Sequence, residues 1–197
     1  MVFARNPVPG EVKTRLIPAL GKKGAANLYK KLIKHTLKMI SSCNISHVDL
    51  YTTATKNPAF YKSCVDDYGI PLKQQTGADL GMRMFNAFEN SLPTNDWAIL
   101  IGTDCPTMQA ADLVTSIGEL ESGADAVIGP AVDGGYYLIG LRRNDESLFS
   151  NMPWGTRQVA SLTYEKMKAL NWRVSTLPLR RDIDRPEDLE YLPELEQ

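Results

Sequence analysis

Short β-rich runs alternate with helical patterns along almost the whole chain, and this alternation restricts the fold more than any other feature. Met1 to Ala4, Val48 to Thr53, Trp97 to Ile101, Ala126 to Ile128, Tyr136 to Leu141 and Val174 to Leu177 read as strands, with Leu72 to Gln74 a weaker seventh. Between them, Ala25 to Ile40 places Leu28, Leu32, Thr36 and Ile40 four residues apart, one face of a helix. Asn57-Pro58 supplies an N-cap and a first-turn proline for a helix running to Tyr68. Leu80 to Ser91, Ala110 to Glu121 and Gln158 to Leu170 complete the helices. Strands separated by helices of this length predict βαβ units and an α/β fold with a doubly wound, mostly parallel sheet. Ligands of such sheets bind beyond the carboxyl ends of the strands.

One junction breaks the rule. Ala131-Val132-Asp133-Gly134-Gly135 leaves no room for a helix before Tyr136, so the two strands it joins are predicted to pair antiparallel and the sheet to be mixed. No repeat, low-complexity tract or linker divides the 197 residues, which at roughly 150 residues per domain are expected to form a single domain over 1–197. A short helix in the charged C-terminal stretch is expected to close it.

The charges exclude whole classes of partner. With 22 basic and 23 acidic side chains the formal net charge is −1, so no overall field draws the protein to nucleic acid or an anionic membrane. An anionic ligand must therefore be held locally. Cys43, Cys64 and Cys105 are odd in number and lack zinc-ligand spacing, which argues against a disulfide framework and suits a reducing compartment. No apolar run has the length of a signal peptide or membrane span, and the expected location is cytoplasmic.

Trp97 to Ile101, a buried type of strand, ends in Gly102-Thr103-Asp104-Cys105-Pro106, which puts the Asp104 carboxylate where ligands bind. Asp104 is either a helix-cap aspartate ahead of Ala110 or a ligand for Mg²⁺ or Mn²⁺, hard cations that prefer carboxylate oxygens and bridge to phosphates. After the first strand comes a loop with Arg5, Gly10, Lys13 and Arg15. Gly10 permits close backbone approach, the arginines offer forked donors to phosphate, and Lys13 adds a point charge. A solvated basic loop accounts for the same composition. Neither GxxxxGK[ST] nor GxGxxG is present, so the two common nucleotide-loop explanations lack support.

Further along, Asp184 with Glu187 makes a capping box for the last helix, or Asp182 or Asp184 supplies a second metal carboxylate. Asp133, Gly134 and Gly135 form a glycine turn that could equally admit a ligand to the backbone. In Met152-Pro153-Trp154-Gly155-Thr156, Trp154 is a loop anchor or a pocket wall. His35 and His47 have no neighbours in sequence that suggest a ligand or general base.

Taken in order, Phe3-Ala4-Arg5, Pro9-Gly10, Val12 to Leu16, Gly102 to Pro106, Gly129-Pro130-Ala131, Asp133 to Leu138, Trp154-Gly155-Thr156 and Asp182 to Leu189 resemble the arsenosugar-biosynthesis-type glycosyltransferase family. The resemblance spans nearly the whole chain. It implies the GT-A-like nucleotide-diphospho-sugar transferase fold, shared with sugar-nucleotide pyrophosphorylases and guanylyltransferases. It also implies phosphate contacts from Arg5, Gly10, Lys13 and Arg15; Gly134, Gly135, Trp154 and Thr156 remain substrate-binding candidates from the residues themselves. The metal would be held by Asp104 and Asp184, the better placed of the late candidates. Two departures stand out. The DxD motif of typical members is reduced to Thr103-Asp104-Cys105, which moves the balance towards nucleotidyl transfer, and the first strand is short, so the natural chain is expected to begin upstream of Met1.

The expected activity is therefore a metal-dependent glycosyltransferase that takes a nucleotide-sugar and a small-molecule acceptor, with Mg²⁺ or Mn²⁺ on the diphosphate. Asp104 and Lys13 serve the leaving group, and Asp133 is the only motif carboxylate available as a base. A nucleotidyltransferase that joins a nucleoside monophosphate to a phosphorylated acceptor and frees pyrophosphate is the first alternative. A non-catalytic nucleotide-binding protein is the second.

Overall fold

A computed structural model describes residues 1–43, 45–53 and 58–195. Seven strands occur: β1 (Val2–Ala4), β2 (Leu50–Thr52), β3 (Leu72–Gln74), β4 (Ala98–Ile101), β5 (Ala126–Pro130), β6 (Tyr136–Leu141) and β7 (Val174–Thr176). Five helices accompany them: α1 (Ile17–Ser41), α2 (Pro58–Tyr68), α3 (Leu80–Ser91), α4 (Ala110–Glu121) and α5 (Val159–Ala169). The strand order is β3-β2-β1-β4-β6-β5-β7. β1, β2 and β3 pair in parallel, as do β5 and β7, whereas β6 runs antiparallel to β4 and to β5. The mixed, mostly parallel α/β sheet expected from the alternation is the fold observed.

The chain groups into two compact units, each built from discontinuous segments. One comprises Met1, Gln75–Ile101 and Ala111–Arg180; the other comprises Val2–Gln74, Gly102–Ala110 and Arg181–Gln197.

In the unit that holds β1, all three β1 residues are buried, because a strand paired within a parallel sheet is covered on both faces. The 3.6-residue repeat of α1 buries Leu28, Leu32, Thr36 and Ile40 as its spacing predicts. Gly21, at φ 69°, interrupts the helical dihedrals near its start. α1 packs against α2, where Lys34 bonds to Asp67 at 3.2 Å and Lys30 lies 5.8 Å from the centre of the Phe60 ring. The Asn57 cap expected ahead of α2 lies outside the described residues.

In the other unit, Phe88, Leu120, Ile128, Leu138, Ile139 and Phe149 are almost completely buried. The β5-β6 hairpin shifts register between Gly129 and Pro130. Gly129 is required there, since a Cβ would lie 2.5 Å from the Tyr137 ring. The Tyr137 hydroxyl donates to the Pro178 carbonyl at 3.2 Å. Arg180 makes a two-pronged contact with the buried Asp112, at 2.9 and 3.0 Å, and these hydrogen bonds, with the Asp112 charge, raise the guanidinium pKa.

Candidate functional site

β1 ends at Ala4, and the proline-rich loop that follows turns on short-range backbone bonds, Val8 N–H to Asn6 O at 2.8 Å and Glu11 N–H to Val8 O at 3.0 Å. Gly10 at φ 90° makes the second bend possible. Lys13 adopts a left-handed conformation, φ 46° and ψ 43°, uncommon for a side chain of its size. That conformation directs its amine inward. The side chain is only 4% exposed, and Nζ donates to the Ile183 carbonyl at 2.6 Å and pairs with Asp104 Oδ1 at 2.7 Å. A loop cation expected to contact phosphate, or else to be solvated, instead links three segments far apart in sequence.

Asp104 follows β4. Its carboxylate is 53% exposed and pairs with Lys13 through Oδ1. The segment 181–184 runs beside it: Ile183 N–H donates to Asp104 O at 2.8 Å, while Thr107 Oγ1 accepts from Arg181 N–H at 3.1 Å and donates to Arg181 O at 2.9 Å. Cys105 Sγ also reaches Arg181 O, at 3.3 Å, and burial pushes its thiol up to about 11. This stitching explains why residues eighty apart share one place.

The capping-box reading of Asp184 needs correction. Asp188 does the capping: its Oδ2 accepts from Arg185 N–H at 2.8 Å and from Asp184 N–H at 3.1 Å, ahead of the 3₁₀ turn Pro186–Tyr191. The Asp184 carboxylate is left to pair with Arg15, whose side chain is half exposed. Asp104 and Asp184 each face a cation, and both carry oxygens suited to a hard divalent ion. No group of three or more His, Cys, Asp or Glu with metal-holding arrangement occurs among the described residues. An ion here would complete its shell with ligand oxygens and water, as Mg²⁺ commonly does on phosphates.

Two side chains that the sequence did not single out, Tyr29 and Tyr61, support this arrangement. The Tyr29 hydroxyl accepts from Arg5 N–H at 2.8 Å and from Thr103 Oγ1 at 3.1 Å, and the Tyr61 hydroxyl donates to Arg5 O at 2.5 Å. Burial raises both phenols, Tyr61 to about 12, with the Asp104 charge adding to the effect on Tyr29. His35 reaches Pro106 O at 3.2 Å from α1. Such i-to-distant contacts leave no local pattern to read.

The remaining candidates belong to the other unit. Asp133 Oδ1 accepts from Gly135 N–H at 2.8 Å, closing its own turn. Gly134, at φ 91°, packs so tightly on Arg157 that a Cβ would lie 2.3 Å from that residue's carbonyl oxygen, and its own carbonyl accepts from Ala160 N–H at the start of α5. Trp154 covers Gly81, where a Cβ would come within 3.0 Å of the indole. Thr156 Oγ1 donates to Pro153 O at 2.8 Å.

The sheet order with one reversed strand, and a carboxylate at the end of β4, define a nucleotide-diphospho-sugar transferase fold of the GT-A type. The chain belongs to the family DUF2064, described as an uncharacterized protein conserved in bacteria, which matches residues 36–156. Among solved structures, it is similar to a provisionally assigned nucleotide-diphospho-sugar transferase from Desulfovibrio desulfuricans G20, at 31% identity and TM-score 0.84, covering 93% of this chain and 80% of the other. It shares its fold with a cytidylyltransferase from Leptospira borgpetersenii serovar Hardjo-bovis, at 13% identity and TM-score 0.60 over 98% of this chain and 86% of the other. It also shares it with glucosyl-3-phosphoglycerate synthase from Mycobacterium tuberculosis, solved with Mn²⁺, UDP and glucosyl-3-phosphoglycerate, at 10% identity and TM-score 0.56 over 96% and 73%. No curated protein matches the sequence. No helix among the described residues is long and apolar enough to cross a membrane.

Proposed function

We propose that the protein is a transferase acting on a nucleotide-sugar, with Mg²⁺ or Mn²⁺ held by Asp104 and Asp184 on the diphosphate. The carrying observation is the convergence of Lys13, Asp104 and the 183–184 segment, with Arg15 on Asp184. When bound, the ion would supply charge stabilisation to the departing diphosphate. Arg5 and Arg15, both exposed, bind phosphate oxygens, and Gly10 leaves the backbone open to them. The buried Lys13 amine holds the Asp104 carboxylate in place and neutralises part of its charge. On sequence alone, Asp133 is proposed as the base for an acceptor hydroxyl and Gly134, Gly135, Trp154 and Thr156 as substrate contacts. Residues 1–197 act as one domain in this reading, because both compact units are assembled from interleaved segments and neither is a continuous piece of chain.

Nucleotidyl transfer is the second reading, and one observation favours it. Thr103-Asp104-Cys105 offers one carboxylate where a DxD motif has two, and the Cys105 side chain is bonded to Arg181 and Thr107. Product identity separates the two. Incubation with Mn²⁺ and a panel of nucleotide-sugars is expected to release nucleoside diphosphate slowly even without acceptor, water replacing the hydroxyl. Asp104→Asn abolishes that release. Pyrophosphate from a triphosphate plus a sugar phosphate, with no diphosphate from any nucleotide-sugar, would establish nucleotidyl transfer instead. Binding of nucleotides without turnover of either kind would leave a non-catalytic nucleotide-binding protein.

A further inference from the structure

We infer that Tyr29 is a positioning residue of the proposed site, its hydroxyl fastening the backbone of Arg5 to the Thr103 side chain and so keeping Arg5 and Asp104 in one fixed relation. The inference rests on the reading of Arg5 as a phosphate contact and Asp104 as a metal ligand. β1 stops at Ala4, so the peptide groups of Arg5 lie just past the last residue of the strand. Buried backbone polar groups must find partners, and here both come from tyrosines on separate helices: Tyr29 of α1 takes the Arg5 N–H and Tyr61 of α2 gives its proton to the Arg5 carbonyl. Tyr29 is 3% exposed, Tyr61 fully buried and Thr103 1% exposed.

A tyrosine that merely filled core volume would need no hydroxyl; phenylalanine would serve. The Tyr29 oxygen instead accepts two hydrogen bonds, one from each of the two segments, after β1 and after β4, that carry the proposed ligand contacts. Thr103 precedes Asp104 directly, so its side-chain bond limits where the next residue's carboxylate can lie. Lys13, the other partner of Asp104, has its amine 5.9 Å from the centre of the Tyr29 ring. The phenol thus touches the supports of Arg5, Asp104 and Lys13 while standing behind all three.

Two measurements on Tyr29→Phe test this. Exchange of the Arg5 amide hydrogen should accelerate by about tenfold or more once its acceptor is gone, while the Val2 amide, bonded to Asp49 O, keeps its rate. Titration calorimetry with a nucleoside diphosphate and Mn²⁺ should show affinity weakened by about tenfold, the loss falling mainly on the Mn²⁺-dependent part. Thr103→Val should reproduce much of that loss and Thr103→Ser should retain near wild-type affinity, and because both changes remove the same bond, the loss in the Tyr29→Phe, Thr103→Val double variant should be clearly smaller than the sum of the two single losses. If Tyr29→Phe does not fold, the Thr103→Val and Thr103→Ser pair decides alone. Unchanged Arg5 exchange, wild-type affinity in Tyr29→Phe, or equal affinities of the two Thr103 variants would overturn the inference. Failure of the wild-type protein to bind any nucleotide would instead overturn the functional reading, and the exchange comparison would still decide whether the clamp exists.

Discussion

The two units use their polar residues in opposite ways. Around Lys13, Asp104 and Asp184, charged groups face one another across segments distant in sequence, and carboxylate oxygens stay open to solvent. Around Gly134 and Trp154, the sequence motif is just as dense, yet its members are spent on local geometry: Asp133 closes its own turn, Thr156 bonds three residues back, and Trp154 lies over Gly81. A motif rich in Gly, Asp and Trp marks a constrained backbone as readily as a ligand site. Opposed charges brought together by tertiary structure are a sharper sign of chemistry, because holding them near one another costs desolvation that packing alone does not require.

The sharpest break between the regions should come from Gly134→Ala. A Cβ there meets the Arg157 backbone at 2.3 to 2.6 Å in a left-handed residue, so a loss of about 3 kcal/mol or more in denaturant unfolding is expected. A loss below about 1 kcal/mol would show that the turn yields and that the packing reading of this region is wrong.

Asp104→Asn should do the reverse, leaving the protein folded with a smaller loss of about 1 to 2 kcal/mol from the lost counter-charge of the buried Lys13 amine, while removing the Mn²⁺-dependent part of nucleotide affinity, about tenfold to a hundredfold. The amide keeps a carbonyl for the Lys13 amine but loses the charge. Unfolding of this variant, with metal dependence intact in whatever remains folded, would make Asp104 a structural residue like those of the other unit.

Arg15→Gln has a smaller effect and a distinctive sign. Since Arg15 occupies the Asp184 carboxylate, its removal should strengthen binding of Mn²⁺ alone by several-fold, about 1 kcal/mol, while weakening binding of nucleoside diphosphate. Spin resonance of free Mn²⁺ reads the first and calorimetry the second. Weaker Mn²⁺ binding in the variant would remove Asp184 from the metal set. The least effect on stability is expected from Asp133→Ala, about 1 kcal/mol or less for one hydrogen bond within an exposed turn. A diphosphate-release rate unchanged in the presence of acceptor would also take Asp133 out of the role of base.

Legibility differed with the range of the interaction. The strand ends, the helical face of α1 and the antiparallel hairpin were readable because each depends on periodicities of two to four residues or on the length of one connection. Asp104 could be located at a strand end for the same reason. By contrast, Asp184, Glu187 and Asp188 all lie within reach of the same exposed N–H groups, and nothing in their order distinguishes which one bonds. The competition was decided for Asp188 by backbone geometry at Arg185, and only then was Asp184 left for Arg15.

The sequence by itself determined the α/β alternation, the one reversed strand, the position of Asp104 and the cluster of cations after β1. Tertiary structure alone decided what those cations do. Lys13, Arg5 and Arg15 are equivalent as charges in a loop, but a left-handed residue at position 13 sends one amine into the protein, two tyrosines hold the backbone of Arg5, and Arg15 remains at the surface. Local propensity carries no record of partners 24 to 170 residues away, whereas the free energy of a buried amine or carbonyl is set almost entirely by whether such a partner is there.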